Sequence, residues 1–104
     1  MEVIYCKVGE PAKQVEIEGK LEEFQEMVGG HIEVVPYEGI NGIVYILNEE
    51  GKLKGLKPNK TIFEGRDMIV GDFVVAAIGD DDIAGLNERQ KEFVMRTVDF
   101  GRVW

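Results

Sequence analysis

Across Gly29-Gly30 the spacing of apolar residues changes from the period of a helix to that of a strand, and this switch constrains the fold of the 104-residue chain more than any other feature. Upstream, Leu21, Phe24, Met27 and Val28 recur at helical spacing within Lys20 to Val28, while Glu22, Glu23 and Glu26 fall on the opposite side. Downstream, Ile32 to Tyr37 and Ile43 to Leu47 are β-branched and aromatic runs separated by Glu38-Gly39-Ile40-Asn41-Gly42. Asn-Gly is the dipeptide a tight primed turn prefers, so these runs predict an antiparallel hairpin of two central strands. A glycine pair can also let a phosphate approach the backbone, but that needs amides opening a helix. Here the glycines close one, and the expected role is a left-handed C-cap.

The same reasoning extends along the chain. Val3 to Val8 is apolar or half-apolar on both alternating faces, as in a strand covered on both sides. Gly9-Glu10-Pro11 signals a turn, and Val15-Glu16-Ile17-Glu18 then alternates like a strand with one wet face, which predicts a second hairpin. Met68 to Ile78 is the longest apolar run, with Phe73 to Ile78 a buried strand and Val70-Gly71-Asp72 a turn or bulge before it. From Asn87 to Val98 a helix is expected, with Asn87 as N-cap and Gln90 three residues on completing a capping box. The tail Phe100-Gly101-Arg102-Val103-Trp104 carries an aromatic pair suited either to covering the core or to an exposed contact. These elements predict one α+β domain over residues 1–104, with about five mostly antiparallel strands and two covering helices.

Residue types narrow the chemistry. The chain has no serine, one cysteine (Cys6) and one histidine (His31), so an intramolecular disulfide and the usual zinc ligand sets are excluded, and no cofactor is expected. Cys6 reads as a small buried hydrophobe rather than a nucleophile. Thr61 and Thr97 lie in no recognisable nucleophile motif. Gly79-Asp80-Asp81-Asp82 lacks the spaced ligands of a calcium loop and reads as solvated. With no apolar run long enough to span a bilayer and no signal-peptide pattern, a cytoplasmic protein without membrane contact is expected.

The net charge of −8 is unevenly distributed: residues 1–51 hold eleven acids and three bases, residues 52–66 five bases and one acid, and residues 67–104 eight acids and four bases. A cationic surface this local argues against direct nucleic-acid binding, which needs a broad basic face. It permits a small anion site. Lys57, Asn59, Lys60 and Arg66, with Glu33 and Asn48 near them, are the candidate ligand-binding residues: asparagine amides read a polar edge and cations hold its charge. Each also has a plain structural reading, Glu33 as the solvent-facing residue of its strand and the lysines as a solvated loop. Glu33, Glu49 or Glu50 as a general base is a weaker version of the same idea.

Val28-Gly29-Gly30-His31-Ile32-Glu33-Val34-Val35, Asn48-Glu49-Glu50-Gly51-Lys52, Pro58-Asn59-Lys60 and Ile69-Val70-Gly71-Asp72-Phe73-Val74-Val75 form an ordered series of short motifs over residues 3–98. This series resembles a small domain-of-unknown-function family found in phages, plasmids and conjugative elements of Firmicutes and related bacteria. The family pattern often has arginine after the loop asparagine, where this chain has Lys60. The resemblance carries no catalytic residues with it; it implies an accessory or host-interaction role, counter-defence included. The leading expectation is therefore a noncatalytic module that binds a protein partner. The alternatives are a domain for a nucleotide or other small anion, and an acidic nucleic-acid mimic presenting Glu16, Glu18, Glu22, Glu23, Glu26 and Asp80 to Asp82 to a DNA-binding enzyme. The apolar tail is also a surface on which two copies could pair as a homodimer.

Overall fold

Along the chain the elements are β1 (Glu2–Cys6), β2 (Lys13–Glu16), α1 (Leu21–Val28), β3 (Ile32–Pro36), β4 (Ile43–Asn48), β5 (Pro58–Ile62), β6 (Asp67–Val70), β7 (Phe73–Ile78), β8 (Ile83–Ala84) and α2 (Glu88–Thr97). They come from a computed structural model that describes residues 1–103, so the expectation for Trp104 lies outside the described residues. The main sheet runs β2-β1-β7-β4-β3 with every neighbouring pair antiparallel, and the short β8 pairs with the end of β7. Its five long strands are those expected from the apolar runs. β5 and β6 form a separate antiparallel pair.

Both faces of the main sheet are covered, which explains why β4 and β7 are apolar at nearly every position. Val3, Val44, Ile46, Val74 and Ala76 point to one face and pack under Phe24 and Val28 of α1. Ile4, Cys6, Ile43, Tyr45, Phe73, Val75 and Ala77 point to the other, beneath Val94 of α2, Val98 at its C-cap, and Ile62 and Ile69 of the β5–β6 pair. Full burial of such side chains contributes roughly 1.5–3 kcal/mol each. Residues 49–72 thus leave the sheet after β4, build the small second layer over one face, and return as β7.

The helix ends follow local chemistry. At the start of α1 the Glu23 carboxylate accepts N–H groups of Gly19 at 2.6 Å, Lys20 at 2.8 Å and Glu18 at 3.1 Å. At its end Gly29 is left-handed (φ 82°) and its N–H reaches the Gln25 carbonyl at 2.8 Å, the C-cap predicted from the glycine pair. α2 opens with the expected capping box, Gln90 N–H to Asn87 Oδ1 and Asn87 N–H to Gln90 Oε1, both 2.8 Å.

One expectation is corrected. β3 is an edge strand, not a central one: it pairs only with β4, and Glu33, Val34 and Pro36 are exposed, with Pro36 placed where a missing donor costs no ladder bond. The turn or bulge expected at Val70-Gly71-Asp72 is a turn, and it separates strands of two different sheets. Left-handed Gly71 (φ 80°) ends β6, and β7 begins in the main sheet two residues later. No helix among the described residues is long and apolar enough to cross a membrane.

Candidate functional site

A cleft of about 360 Å³ opens where the β3–β4 turn, β5, the β5–β6 turn, α2 and the residues after α2 meet. Tyr37 and Tyr45 form its floor, Phe93 and Thr97 one wall, Phe100 and Gly101 another, and Glu38, Lys60, Glu64 and Gly65 stand round the rest. The floor is rigid because its rings pack on one another: Tyr37 and Tyr45 lie 4.7 Å apart between centroids, Tyr37 meets Phe93 edge-on at 6.2 Å, and Tyr45 meets Phe73 edge-on at 5.6 Å.

Its polar groups are tied to one another. Tyr45 donates its hydroxyl to Glu38 Oε1 at 2.5 Å, and the Phe63 amide donates to Glu38 Oε2 at 2.9 Å. Thr97 Oγ1 donates to the Phe93 carbonyl at 2.9 Å, so the 2.8 Å contact between Tyr37 and Thr97 has the tyrosine as donor. Lys60 Nζ donates to the carbonyls of Val98, at 2.9 Å, and Phe100. Phe63 and Glu64 both adopt left-handed backbone (φ 52° and 57°), and the Arg66 N–H closes the turn on the Phe63 carbonyl at 3.1 Å. Non-glycine residues seldom sit there, and it is the Glu38 carboxylate that holds the Phe63 amide in place.

Electrostatics follow from these contacts. Burial pushes the Glu38 carboxyl up, but hydrogen bonds from Tyr45 and the Phe63 amide outweigh it and leave it below the usual carboxylate range. Burial pushes the Tyr37 hydroxyl up to about 12, and raises Tyr45 further, with Glu38 adding to the effect. Burial lowers Lys60 and Glu38 pulls it partly back. Among the described residues, every buried side-chain nitrogen or oxygen has a hydrogen-bond partner.

The six residues singled out from the sequence are not brought to one place. Glu33 and Asn48 line a small depression with Lys52 and Asp67, and Lys57 lines a groove with Tyr5, Lys7 and Asp72. Arg66 lies beside Glu38, Phe63 and Glu64, and Lys60 belongs to the aromatic cleft. Asn48 is buried and donates to the Val28 carbonyl at 3.1 Å, tying the end of β4 to the end of α1. Asn59, fully buried, donates to the carbonyls of Cys6 at 3.0 Å and Gly71 at 2.8 Å.

The stretch expected to be a basic loop is therefore partly a strand. A register shift between Pro58 and Lys60 marks a bulge in β5, and the adjacent Asn59 and Lys60 are both buried. Glu49 and Glu50 are exposed turn residues. Of the residues that do line the cleft, Tyr37, Glu38, Phe93 and Thr97 were not singled out as a site, and Phe100 was named only as one of the tail's aromatic pair. The signal available was slight: Tyr37-Glu38 leading into a hairpin turn, and Phe93 and Thr97 one helical turn apart.

No curated protein and no solved structure matches the chain. The profile of a domain of unknown function, DUF3846, matches residues 1–99, which take in every strand and both helices and stop just before Phe100 and Gly101 of the cleft. On that match the chain belongs to the DUF3846 family.

Proposed function

We propose that this domain is a noncatalytic binding module, an accessory protein of phages or other mobile elements, whose aromatic cleft recognises a partner protein of the host. The observation that carries the reading is the state of Glu38, the cleft carboxylate that takes the Tyr45 hydroxyl. Both Glu38 oxygens already accept hydrogen bonds from the fold, and its lowered pKa makes it a weak base. Such a group shapes and charges a preformed surface rather than shuttling protons. The mobile-element setting, with counter-defence among its roles, rests on the resemblance carried by the motif series quoted above.

The test is affinity capture from bacterial lysate with the wild-type chain and with Phe100→Ala, a change at a side chain 72% exposed and therefore tolerable to the fold. A protein retained by the wild type and lost with the variant supports recognition through the cleft; equal retention by both overturns it. Native mass spectrometry of the gently purified chain adds a second arm, since a few hundred extra daltons lost on denaturation means a bound small molecule instead.

A second reading, the acidic mimic, is favoured by the exposure of Glu16, Glu18, Glu22 and Glu26 along β2 and α1. It requires capture that weakens steeply with salt and ignores Phe100→Ala.

A further inference from the structure

We infer that the cleft accepts a basic side chain, a lysine ammonium or an arginine guanidinium presented by the partner protein. The inference rests on the cleft being the recognition site, and it follows from which hydrogen-bonding capacity remains there. Most side-chain donors face inward: Tyr45 to Glu38, Tyr37 to Thr97, Thr97 to the Phe93 carbonyl, and Lys60, with two of its three N–H groups, to the carbonyls of Val98 and Phe100. The acceptors do not run out. The Glu38 carboxylate, with Tyr45, the Phe63 amide and its own amide as donors, keeps a lone pair to spare, and the Glu64 carboxylate stands exposed at the rim.

Ring faces add to this preference. Phe93 and Phe100 flank the opening, and an aromatic face attracts a cation while an apolar stem packs along the ring. Lys60 is the one charge in the lining that opposes a cation. Its ammonium sits on carbonyls just past α2, the negative end of the helix, so much of its charge is met within the fold. Glu38 and Glu64 outnumber Lys60 in the lining, with Arg66 beside them outside it, and the chain's net charge of −8 draws basic partners at long range.

Titration of the isotope-labelled full chain by NMR with the peptide Gly-Gly-Arg-Gly-Gly tests the inference, with the citrulline peptide as neutral isostere and Gly-Gly-Glu-Gly-Gly as anionic control. The arginine peptide is expected to shift the amides of Gly39, Gly65, Phe100 and Gly101 at low millimolar concentration. The citrulline peptide, or the Glu64→Gln chain with the arginine peptide, is expected to bind at least about fivefold more weakly. Equal shifts from the citrulline peptide, or stronger ones from the glutamate peptide, overturn the basic ligand while leaving the cleft as a recognition site. An arginine peptide that moves no cleft amide overturns it too. Failure of the cleft itself is read separately, from partner capture that Phe100→Ala does not change.

Discussion

The side-chain oxygen of Asn59 accepts the Arg102 Nε–H at 2.8 Å, while the amide of the same side chain donates to carbonyls on β1 and at the β6–β7 junction. Arg102 extends the network through Nη2 to the carbonyls of Lys7, at 2.9 Å, and Glu10, at 2.7 Å, and through Nη1 to Asp99 at 3.2 Å. Two residues 43 apart in sequence thereby join the second sheet, the β1–β2 turn and the end of the chain.

Asn59→Ala and Arg102→Ala are each expected to destabilise the domain by about 3 kcal/mol, because each strands several buried partners. That lowers Tm by more than about 10 °C in a domain of this size. Arg102→Lys is expected to recover little, since one ammonium cannot reproduce the fork that spans Asn59, Lys7 and Glu10. The double variant should lose less than the sum of the two, by about 1 kcal/mol in urea unfolding. Additive losses would mean that the two side chains act independently.

Glu23 ties stability to pH. Hydrogen bonds from the amides of Lys20, Glu18 and Gly19 hold its carboxyl below the usual range. A group whose pKa is lower folded than unfolded stabilises the fold fully above the unfolded value, about 4.3, and loses that contribution as pH falls through the folded value. Wild type should therefore exceed Glu23→Gln in stability at pH 7, and the gap should close on acidification below about pH 4. A gap unchanged at pH 3 would show that the charge is irrelevant to the cap.

Cys6 offers a probe of opening. It is the only cysteine, fully buried, and burial pushes its thiol up to about 12, with Arg102 pulling it slightly back. Because only the thiolate attacks, the folded chain should resist iodoacetamide at pH 8, and labelling should rise with urea in step with loss of circular dichroism. Labelling that runs ahead of unfolding would reveal a local opening at β1.

Beyond α2, Gly101 packs directly against Thr61 of β5. It is left-handed (φ 82°), and a Cβ there would lie 2.5 Å from Thr61 Oγ1 and 2.6 Å from the Thr61 carbonyl oxygen. Gly101→Ala is expected to cost about 2 kcal/mol or more and to disturb the N–H bond from Thr61 to the Gly101 carbonyl, now 2.8 Å. Urea unfolding gives the cost, and amide exchange at Thr61 should accelerate beyond what the global loss accounts for.

What could be read from the chain alone was local. The helix stop at Gly29-Gly30, the capping box of Asn87 and Gln90, and the apolar runs of β1, β3, β4 and β7 all depend on neighbours a few residues away, and each is where it was expected. β5 was missed because Pro58-Asn59-Lys60-Thr61-Ile62 has the composition of a turn. Its polar side chains are buried only because Arg102, Val98 and Phe100 arrive to meet them. The cleft was illegible for the same reason. Its lining comes from the β3–β4 turn, β5, the turn after it, and α2 with the residues that follow, and no spacing rule links those segments.

That dispersal sets when the cleft can exist during synthesis. Its walls are drawn from residues 37–45, 60–65 and 93–101. An emerging chain can pair β3 with β4 and lay α1 against them long before α2 leaves the ribosome, yet it offers no complete cleft until Phe100 and Gly101 have emerged and β5 has closed against them. A product ending before residue 100 would retain the strands of both main-sheet hairpins but would lack the wall that Phe100 and Gly101 give the cleft. The cleft is thus completed only after the main sheet and both helices have been made.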